Sequence, residues 1–357
     1  MPFFIVSMKF AIILGDMYPA GRVVKCGILA EKHGFDLIYI PDHIVDIDGA
    51  RVDCWILLGA IGARTKRIML GPGVMDIHHI IPAKAAQMTA TLDELTNGRA
   101  ILGLGTGELM NLKPFGIEFE SPKDRIDRIS EYIDVVKLLW SSDRFRPVSY
   151  QGRFYSLSEA FIDQKHVRKP HPPVHVGAMR SKRLLRLIGE KAEGWISWIM
   201  TPEAFKERVK VLMESASKHG RDQIEAVAWL YTCITEDEKA ERAALSVGKI
   251  YLYVEKRMLE ERGYKVDIPN YTYLLANKPF KTGKELVKAA SWVPEEMVRE
   301  VTAIGGIERC VEMVEKYAKA GATCIGFRIM SVEGALSIEE SIELLSKKVV
   351  SYFRSGD

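Results

Sequence analysis

Residues 97–111 read NGRAILGLGTGELMN and combine a turn signal, a short apolar run and a glycine-rich end. The Asn-Gly pair at the start is typical of a turn. The apolar run at residues 100–104 contains Gly103, which is typical of a buried strand that another backbone approaches closely. Gly105 and Gly107 then allow the chain to turn sharply and leave space beside it. The stretch therefore predicts a buried strand that ends at a cavity.

Glu108 follows these glycines and would project from the carboxyl end of the strand into that space. A buried carboxylate is costly unless it has a partner or a chemical task, so Glu108 is a candidate acid–base group. The alternative is structural: a tight turn followed by a helix with a glutamate at its amino end, which the helix dipole favours. A short glycine pattern alone does not separate the two interpretations.

Strand-like and helix-like segments alternate on both sides of this stretch, with short connections. The predicted strands are residues 9–14, 36–40, 68–71, 99–105, 173–176, 194–198, 226–235 and 324–329. Between the last two strands, residues 236–262 and 295–304 are predicted to be helical. Eight strand–helix units predict an α/β fold, specifically a (β/α)8 TIM barrel with a parallel sheet inside a ring of helices.

The chain has 357 residues, and such barrels take about 250 residues before insertions. We therefore predict a single domain over residues 1–357, with insertions at about residues 141–164 and 263–290. The first insertion, with Pro147, Gly152 and alternating aromatic residues, predicts a β-hairpin or a similar excursion. The second is polar and irregular, and its aromatic residues could line the substrate pocket or form a small separate core. They are Tyr271, Tyr273 and Phe280.

A doubly wound sheet is the competing fold. It usually shows GxGxxG after the first strand, whereas residues 15–18 here read GDMY. The sequence also lacks the GxSxG motif of a nucleophile elbow and a complete phosphate-binding loop. His78 and His79 are adjacent and would point to opposite sides of an extended chain. We therefore predict no metal site.

The composition limits which classes of partner the protein is expected to bind. A net charge of +3, with 47% apolar and 27% charged residues, is ordinary for a globular enzyme and does not indicate nucleic-acid binding. No apolar run reaches the roughly 18 residues of a membrane span. The amino-terminal residues lack a signal-peptide pattern, with Met1 or Met8 as the start. The five cysteines are widely spaced, which favours buried free thiols in a reducing cytoplasm.

The carboxyl ends of barrel strands form the active site in such folds. Here those ends carry Asp42 and His43 after the second strand, Glu108 after the fourth, and glycines after three strands. A histidine and a glutamate that face one pocket can exchange a proton at neutral pH. The glycines leave backbone room for a flat ring and a phosphate. We therefore predict that His43 and Glu108 meet across a pocket.

Four stretches resemble the bacterial luciferase-like superfamily, in particular its coenzyme F420-dependent branch. They are DLIYIPDH (residues 36–43), GPGVMDIHHIIPAKAAQMTATLDELTNGRAILGLGTGELMN (71–111), PPVHVGAMRSKRLLRLIGEKAEGWI (172–196) and AIGGIERCVEMVEKYAKAGATCIGF (303–327). That branch includes sugar-phosphate dehydrogenases, alcohol dehydrogenases and methylenetetrahydromethanopterin reductase. The resemblance implies a (β/α)8 barrel that binds a flavin-like ring at the strand ends.

The resemblance also assigns positions to the cofactor. It places Asp42 and His43 near the ring, and a non-proline cis peptide at Gly73–Val74, followed by Met75, behind it. It assigns Gly107, Glu108 and Asn111 to the ring edge and to catalysis. It assigns Gly177, Ala178 and Met179 to a backbone segment that holds the phosphate, before a helix whose amino end favours an anion.

The implied reaction is hydride transfer between F420 and a small substrate: an alcohol or carbonyl, a sugar phosphate, or a methylene-tetrahydropterin. His43 would handle the substrate proton. Glu108 would be the second acid–base group or would polarise His43, and Asp42 would orient His43 or contact the polar edge of the ring. Residues 44–48 lack the tryptophan of the sugar-phosphate dehydrogenases, which argues against glucose 6-phosphate.

Two alternatives stay open at this point. The chain could be an FMN-dependent monooxygenase of the same fold, or a non-catalytic barrel that binds a flavin-like ligand. Members of the family are commonly dimers, so a homodimer or a higher homo-oligomer is expected. Residues 55–58, WILL, could form such a contact surface or could pack against the barrel.

Overall fold

The strands of the protein are short and mostly buried. The computed structural model describes residues 8–15, 19–46, 49–50, 52–266 and 283–355. The strands are β1 Lys9–Ile13, β2 Leu37–Ile40, β3 Val45–Asp46, β4 Gly49–Ala50, β5 Met69–Pro72, β6 Met75–Asp76, β7 Leu102–Gly105, β8 Val148–Gln151, β9 Ser156–Ala160, β10 Val174–Gly177, β11 Gly194–Ile196, β12 Glu225–Ile234, β13 Thr302–Gly305 and β14 Cys324–Ile329.

Helices follow most of the parallel strands. They are α1 Ala20–Lys32, α2 Cys54–Gly62, α3 Pro82–Leu95, α4 Leu109–Leu112, α5 Pro122–Ser141, α6 Lys182–Lys191, α7 Pro202–Lys218, α8 Glu238–Val254, α9 Arg257–Glu261, α10 Gly283–Ala290, α11 Glu295–Val301, α12 Ile307–Lys319, α13 Ile338–Leu345 and α14 Ser351–Arg354. A 3-10 turn, Lys113–Phe115, follows α4, and a π-helical turn, Ser346–Val350, joins α13 to α14. Within the described residues, no helix is both long and apolar enough to cross a membrane.

The parallel strands pair in the order β5-β2-β1-β14-β12-β11-β10-β7-β6, with β13 attached to β12. A parallel bridge joins Leu70 of β5, at one end of this order, to Ala100, just before β7 near the other end, and the Ile101 amide donates to the Leu70 carbonyl at 2.9 Å. These contacts nearly close the sheet into a cylinder. The predicted parallel (β/α)8 barrel is confirmed, and the doubly wound alternative is excluded.

Side chains alternate between the two faces of each strand, so they form two separate hydrophobic cores, one inside the barrel and one between the barrel and the helices. Ile13, Tyr39 and Trp229 belong to a cluster made of strand residues inside the barrel. Phe10 and Ile12 instead belong to the larger cluster that includes the surrounding helices. Each fully buried side chain of this size contributes about 1.5–3 kcal/mol, so the cylinder is a packed body on which loops can be held rigidly.

Glycines allow the strands to approach where the sequence predicted close contact. A Cβ on Gly103 would lie 1.9 Å from the carbonyl oxygen of Pro72, and a Cβ on Gly71 would lie 2.3 Å from that of Ile101. Neither position can carry a side chain without moving the backbone. The predicted close approach at Gly103 is therefore confirmed.

The first insertion is the antiparallel hairpin β8–β9, as predicted. The carboxylate of Glu131 on α5 accepts hydrogen bonds from the amides of Arg153 and Phe154, each at 2.9 Å. This carboxylate attaches the tip of the hairpin to the outer helix. The five cysteines are buried and free, also as predicted.

Two helix predictions near the second insertion are confirmed only in part. Residues 236–262 form α8 and α9 rather than one helix, and Glu255 between them turns its carboxylate to Arg180 at 3.1 Å. Residues 302–304 belong instead to strand β13. Thr302 pairs with Tyr231 of β12, so the backbone groups of residues 302–304 find hydrogen-bond partners in the neighbouring strand.

The described part of the second insertion is also not fully irregular, since it contains α10. Its predicted aromatic residues, Tyr271, Tyr273 and Phe280, lie outside the described residues. In the WILL segment, Leu57 and Leu58 are buried in the core while Ile56 is 74% exposed. That segment therefore mainly packs against the barrel.

Candidate active site

The turn after β7 presents Glu108. Gly107 has a positive φ of 85°, and a Cβ there would lie 2.8 Å from Nδ1 of His78 and 2.9 Å from Cδ1 of Leu112. Both the backbone conformation and the space therefore require glycine. Glu108 sits at the N-cap of α4, as the structural alternative expected, but its side chain makes no capping hydrogen bond. The carboxylate is thus left for another use.

His43 follows β2 and lies opposite that carboxylate. Its Nε2 is 3.7 Å from Oε2 of Glu108, and its Nδ1 is 3.4 Å from Oδ2 of Asp46. The His43 side chain is 22% exposed and that of Glu108 is 44% exposed. The structure therefore brings together the two groups that sequence reasoning selected, at the carboxyl ends of separate strands. The imidazole lies between two carboxylates.

Burial and charge act in opposite directions on this pair. Burial lowers the pKa of His43, but the neighbouring charge of Glu108 and the contact with Asp46 outweigh it and raise the pKa to about 9. Burial raises the pKa of Glu108, and the His43 charge only partly offsets that effect. At neutral pH the imidazole therefore holds a proton that it can donate.

Asp46 and Arg328 were missed by sequence reasoning. Nη2 of Arg328, on β14, lies 3.8 Å from Oδ2 of Asp46, and its guanidinium lies 5.2 Å from the centre of the Tyr231 ring. The Arg328 side chain is only 7% exposed. One signal was available, because Arg328 is the charged residue in the apolar strand CIGFRI. Asp46 had no such signal, because it lies in the two-residue strand β3 between β2 and α2 and not in a long apolar strand.

Asp42 was predicted to orient His43 or to contact the polar edge of the ring. Burial raises the pKa of Asp42, and the neighbouring Cys54 thiol partly offsets that effect. Oδ2 of Asp46 lies 3.4 Å from Nδ1 of His43, and orientation of His43 by Asp42 stays a prediction. Contact between Asp42 and the polar edge of a bound ring stays a prediction.

Asn111 connects the two halves of the site. Its Oδ1 accepts hydrogen bonds from the amides of Ile44 and Val45, both at 2.9 Å, and its carbonyl contacts Nε2 of His79 at 2.8 Å. This side chain fixes the loop after His43 to the helix after Glu108. The predicted cofactor-binding residue is thus also a structural link between the two acid–base groups.

Gly73 and Val74 are joined by a cis peptide bond, at the position that the resemblance implied. A Cβ on Gly105 would lie 2.6 Å from Cγ2 of Val74, and a Cβ on Gly177 would lie 3.1 Å from it. The space beside these two glycines is therefore filled by Val74 rather than left for a ligand, which corrects the expectation of open room there. Met75 is fully buried in the outer core, so its side chain cannot line the cavity.

The predicted phosphate segment is only partly available to a ligand. The Ala178 amide donates to the Ile196 carbonyl at 3.1 Å, and the Ala178 carbonyl accepts from Nε1 of Trp195 at 2.7 Å. The Met179 carbonyl accepts from Nε of Arg208 at 2.6 Å. Ala178 therefore serves to join strands, and Met179 faces a neighbouring arginine.

The sequence profile described as luciferase-like monooxygenase matches residues 1–324 of the chain. The chain belongs to this family. It is 28% identical to the 5,10-methylenetetrahydromethanopterin reductase of Archaeoglobus fulgidus over 351 residues, which cover 96% of this chain and 99% of the reductase. It is 33% identical to the F420-dependent glucose-6-phosphate dehydrogenase of Microbacterium testaceum over 212 residues, which cover 58% of this chain and 61% of that protein.

The fold of this luciferase-like chain also matches a solved structure. That structure is an F420-dependent secondary alcohol dehydrogenase in complex with an F420–acetone adduct. The TM-score is 0.78 at 20% sequence identity, covering 96% of this chain and 98% of the dehydrogenase. At this identity the likeness shows the fold alone.

Several buried polar atoms of the luciferase-like barrel lack a hydrogen-bond partner within the described part of the chain. They include Oδ2 of Asp76, Oε2 of Glu108, Nδ2 of Asn111 and Nε1 of Trp229. Trp229 packs against the Gly73–Val74 cis peptide, since a Cβ on Gly73 would lie 3.2 Å from its ring. Buried polar atoms without partners call for a bound group. Because both donors and acceptors are present, these residues fit a heterocycle with carbonyl and N–H groups along its edge.

Proposed function

We propose that this protein is an F420-dependent oxidoreductase that transfers a hydride between the deazaflavin ring and a small substrate. The observation that carries the proposal is the His43–Glu108 pair, at 3.7 Å, among unpaired polar atoms at the strand ends. Of the relatives named above, the F420-dependent dehydrogenase supports this cofactor, and the reductase supports an oxidoreductase reaction. When bound, F420 supplies the atom that accepts or donates the hydride.

The chain's own residues would supply the proton and the orientation. His43 donates a proton to the oxygen of a carbonyl substrate, or accepts one from an alcohol in the reverse direction. Glu108 keeps His43 protonated through its charge, and Asp46 fixes the orientation of the imidazole from the Nδ1 side. Asp42, Asn111 and the segment at residues 177–179 are proposed to contact the cofactor.

Three substrate classes follow from the relatives and from the site: alcohols or carbonyls, sugar phosphates, and methylene-tetrahydropterins. An imidazolium that faces the pocket favours a substrate whose oxygen changes its protonation, which is true of alcohols and carbonyls. The small molecule is proposed to enter at the barrel mouth that holds His43 and Glu108. A homodimer or a higher homo-oligomer is proposed as the assembled form.

The direct test is to add F420 to the purified protein and to follow its absorbance and fluorescence while secondary alcohols, sugar phosphates and methylene-pterins are supplied in turn. We expect F420 to bind and one class to change its oxidation state: an alcohol or a sugar phosphate by reducing it, or a methylene-pterin by reoxidising F420 that is supplied in its reduced form. His219→Ala is a matched control, because that exposed imidazole contacts only the Ser215 carbonyl, at 2.9 Å, within the described residues. Absence of F420 binding would contradict the proposal.

A second candidate follows from the family's own description as monooxygenases. In that case the cofactor would be FMN, and reduced FMN with oxygen would replace F420. This candidate would be favoured if the protein takes up oxygen with reduced FMN and neither binds F420 nor changes its absorbance and fluorescence. Binding of either cofactor without reduction by any substrate would instead favour a non-catalytic flavin-binding barrel.

A further inference from the structure

A cleft of about 200 Å³ lies beside the predicted phosphate segment. It is formed where the loops after β10 and β11 face α7 and α9. Its wall combines apolar residues such as Met179 and Met258 with three arginines, Arg180, Arg208 and Arg262. Three guanidinium groups around one small cleft are an unusual concentration of charge-bearing donors, because each repels the others.

Arg208 is the arginine whose charge is not matched by a carboxylate. Its Nε donates to the Met179 carbonyl at 2.6 Å and its Nη1 donates to the Ala204 carbonyl at 2.7 Å. Within the described residues, no Asp or Glu oxygen lies within ion-pair distance of it. A guanidinium has five N–H donors, so these two bonds orient the group and leave donors for a ligand. Burial, and then the nearby Arg180, lower the pKa of Arg208.

Arg180 is held differently. Its guanidinium contacts Glu255 at 3.1 Å on one side and Glu261 at 2.6 Å on the other. Glu261 is 67% exposed, whereas Glu255 is only 14% exposed. The exposed Glu261 carboxylate can leave at little cost, because an exposed ion pair is worth only about 0–1 kcal/mol. The Glu261 carboxylate therefore occupies the position from which another anion could contact Arg180. Arg262, in turn, is already paired with Glu300.

We propose that this cleft is an anion subsite, in which Arg208 and Arg180 bind a phosphate or carboxylate group. Met179 belongs both to the cleft wall and to the segment proposed to hold the cofactor phosphate, so the cleft continues the cofactor site. The anion comes from the acidic side chain of F420 or from an anionic substrate. The inference rests on the proposed function, which it deepens by naming residues outside the ring site.

The test compares two deazaflavins by fluorescence titration: F420, and its riboside, which lacks the phosphate and the carboxylates. We expect Arg208→Gln to weaken F420 binding about tenfold, since a charge-assisted hydrogen bond is worth roughly that factor, and to leave riboside binding unchanged. Glu261→Gln should strengthen F420 binding, because it removes the competing carboxylate. Arg144→Gln is the control: it removes one charge from an exposed pair with Asp163 outside the cleft.

The results separate the two sources of the anion. Weaker binding of F420 alone assigns the cleft to the cofactor. Unchanged F420 binding with a raised KM for a phosphate-bearing substrate, and not for a neutral alcohol, assigns it to the substrate. If Arg208→Gln changes neither quantity, the subsite does not exist.

A cofactor-free measurement keeps this inference separate from the proposed function. Inorganic phosphate at millimolar concentration should raise the thermal unfolding temperature of the unmodified protein more than that of Arg208→Gln. This shift can be seen even if the protein binds neither deazaflavin, a result that would overturn the proposed function. Equal shifts in both proteins would overturn the anion subsite.

Discussion

Strand β7 has a charged residue near each end, and the structure surrounds the two in opposite ways. Before the strand, Arg99 is buried and donates five hydrogen bonds, to the carbonyls of Thr96, Ile68, Gly62 and Thr65 and to the Thr65 hydroxyl. After the strand, Glu108 has a buried carboxylate oxygen with no hydrogen-bond partner in the described residues. The Arg99 charge is thus fully hydrogen-bonded within the protein, whereas the Glu108 carboxylate is available to a ligand that enters the site.

This difference separates a structural charge from a chemical one. Arg99 is held by carbonyls whose positions depend on the fold, so it can hardly change state without unfolding the region. Glu108 and His43 perturb each other's proton affinity, and both side chains are partly exposed at the strand ends, which is how acid–base sites are built. The same strand therefore secures the barrel at one end and presents a proton-transfer group at the other.

The largest expected effect is on turnover. His43→Ala and Glu108→Gln should each lower kcat about 100- to 10,000-fold, the usual contribution of a positioned acid or base. Both variants should still bind F420 and unfold at nearly the temperature of the unmodified protein. Steady-state deazaflavin reduction and thermal unfolding measure the two quantities. Turnover close to that of the unmodified protein in both variants would remove the assignment.

Arg99→Met should show the reverse pattern. Its carbonyl partners would be left buried without donors, at a cost of about 3 kcal/mol or more in the free energy of unfolding. Turnover per folded molecule should be retained, because Arg99 lies at the other end of the strand. Urea unfolding measures the loss. The control Arg144→Gln should change it by less than about 0.5 kcal/mol. If the Arg99→Met protein is stable but inactive, the assignment of Arg99 as a structural charge and Glu108 as a chemical one is wrong.

The smallest expected effect is a shift in pH dependence. Because the His43 pKa is raised to about 9, carbonyl reduction should fall as pH rises through that value, and alcohol oxidation should rise. Protonated His43 should stabilise the folded protein fully below its ordinary pKa of 6.5. This stabilisation should be lost progressively as the pH rises from 6.5 to about 9. Asp46→Asn removes a charge that raises this pKa, so the limb of the kcat/KM profile should move to lower pH. An unshifted limb would show that Asp46 does not act on His43.

Much of this site could be read from the chain because the relevant signals are local. Strand and helix periodicity predicted the barrel, and strand ends in a barrel lie at one mouth. His43 and Glu108 were selected on that rule alone, and the structure places them in contact distance. Gly103 was identified correctly as a site of close approach, whereas the open room predicted beside Gly105 and Gly177 is filled by Val74.

Other features depend on contacts between distant parts of the chain. Whether Asp42 or Asp46 lies beside the imidazole depends on how the loop after β2 folds, and Asn111, more than 60 residues away, fixes that loop. Arg328 reaches Asp46 only because β14 closes the barrel beside β1. The arginine cleft joins the loop after β10 to α7 and α9 in the same way.

The sequence by itself determined the alternation of strands and helices and the residues at the strand ends, since backbone preference and apolar periodicity act over a few neighbouring residues. Only the tertiary structure decided which carboxylate contacts His43, which glycine spaces are already filled, and which arginine of the cleft has no carboxylate partner. Those outcomes follow from distances between segments far apart in the chain, and such distances exist only once the cylinder has closed.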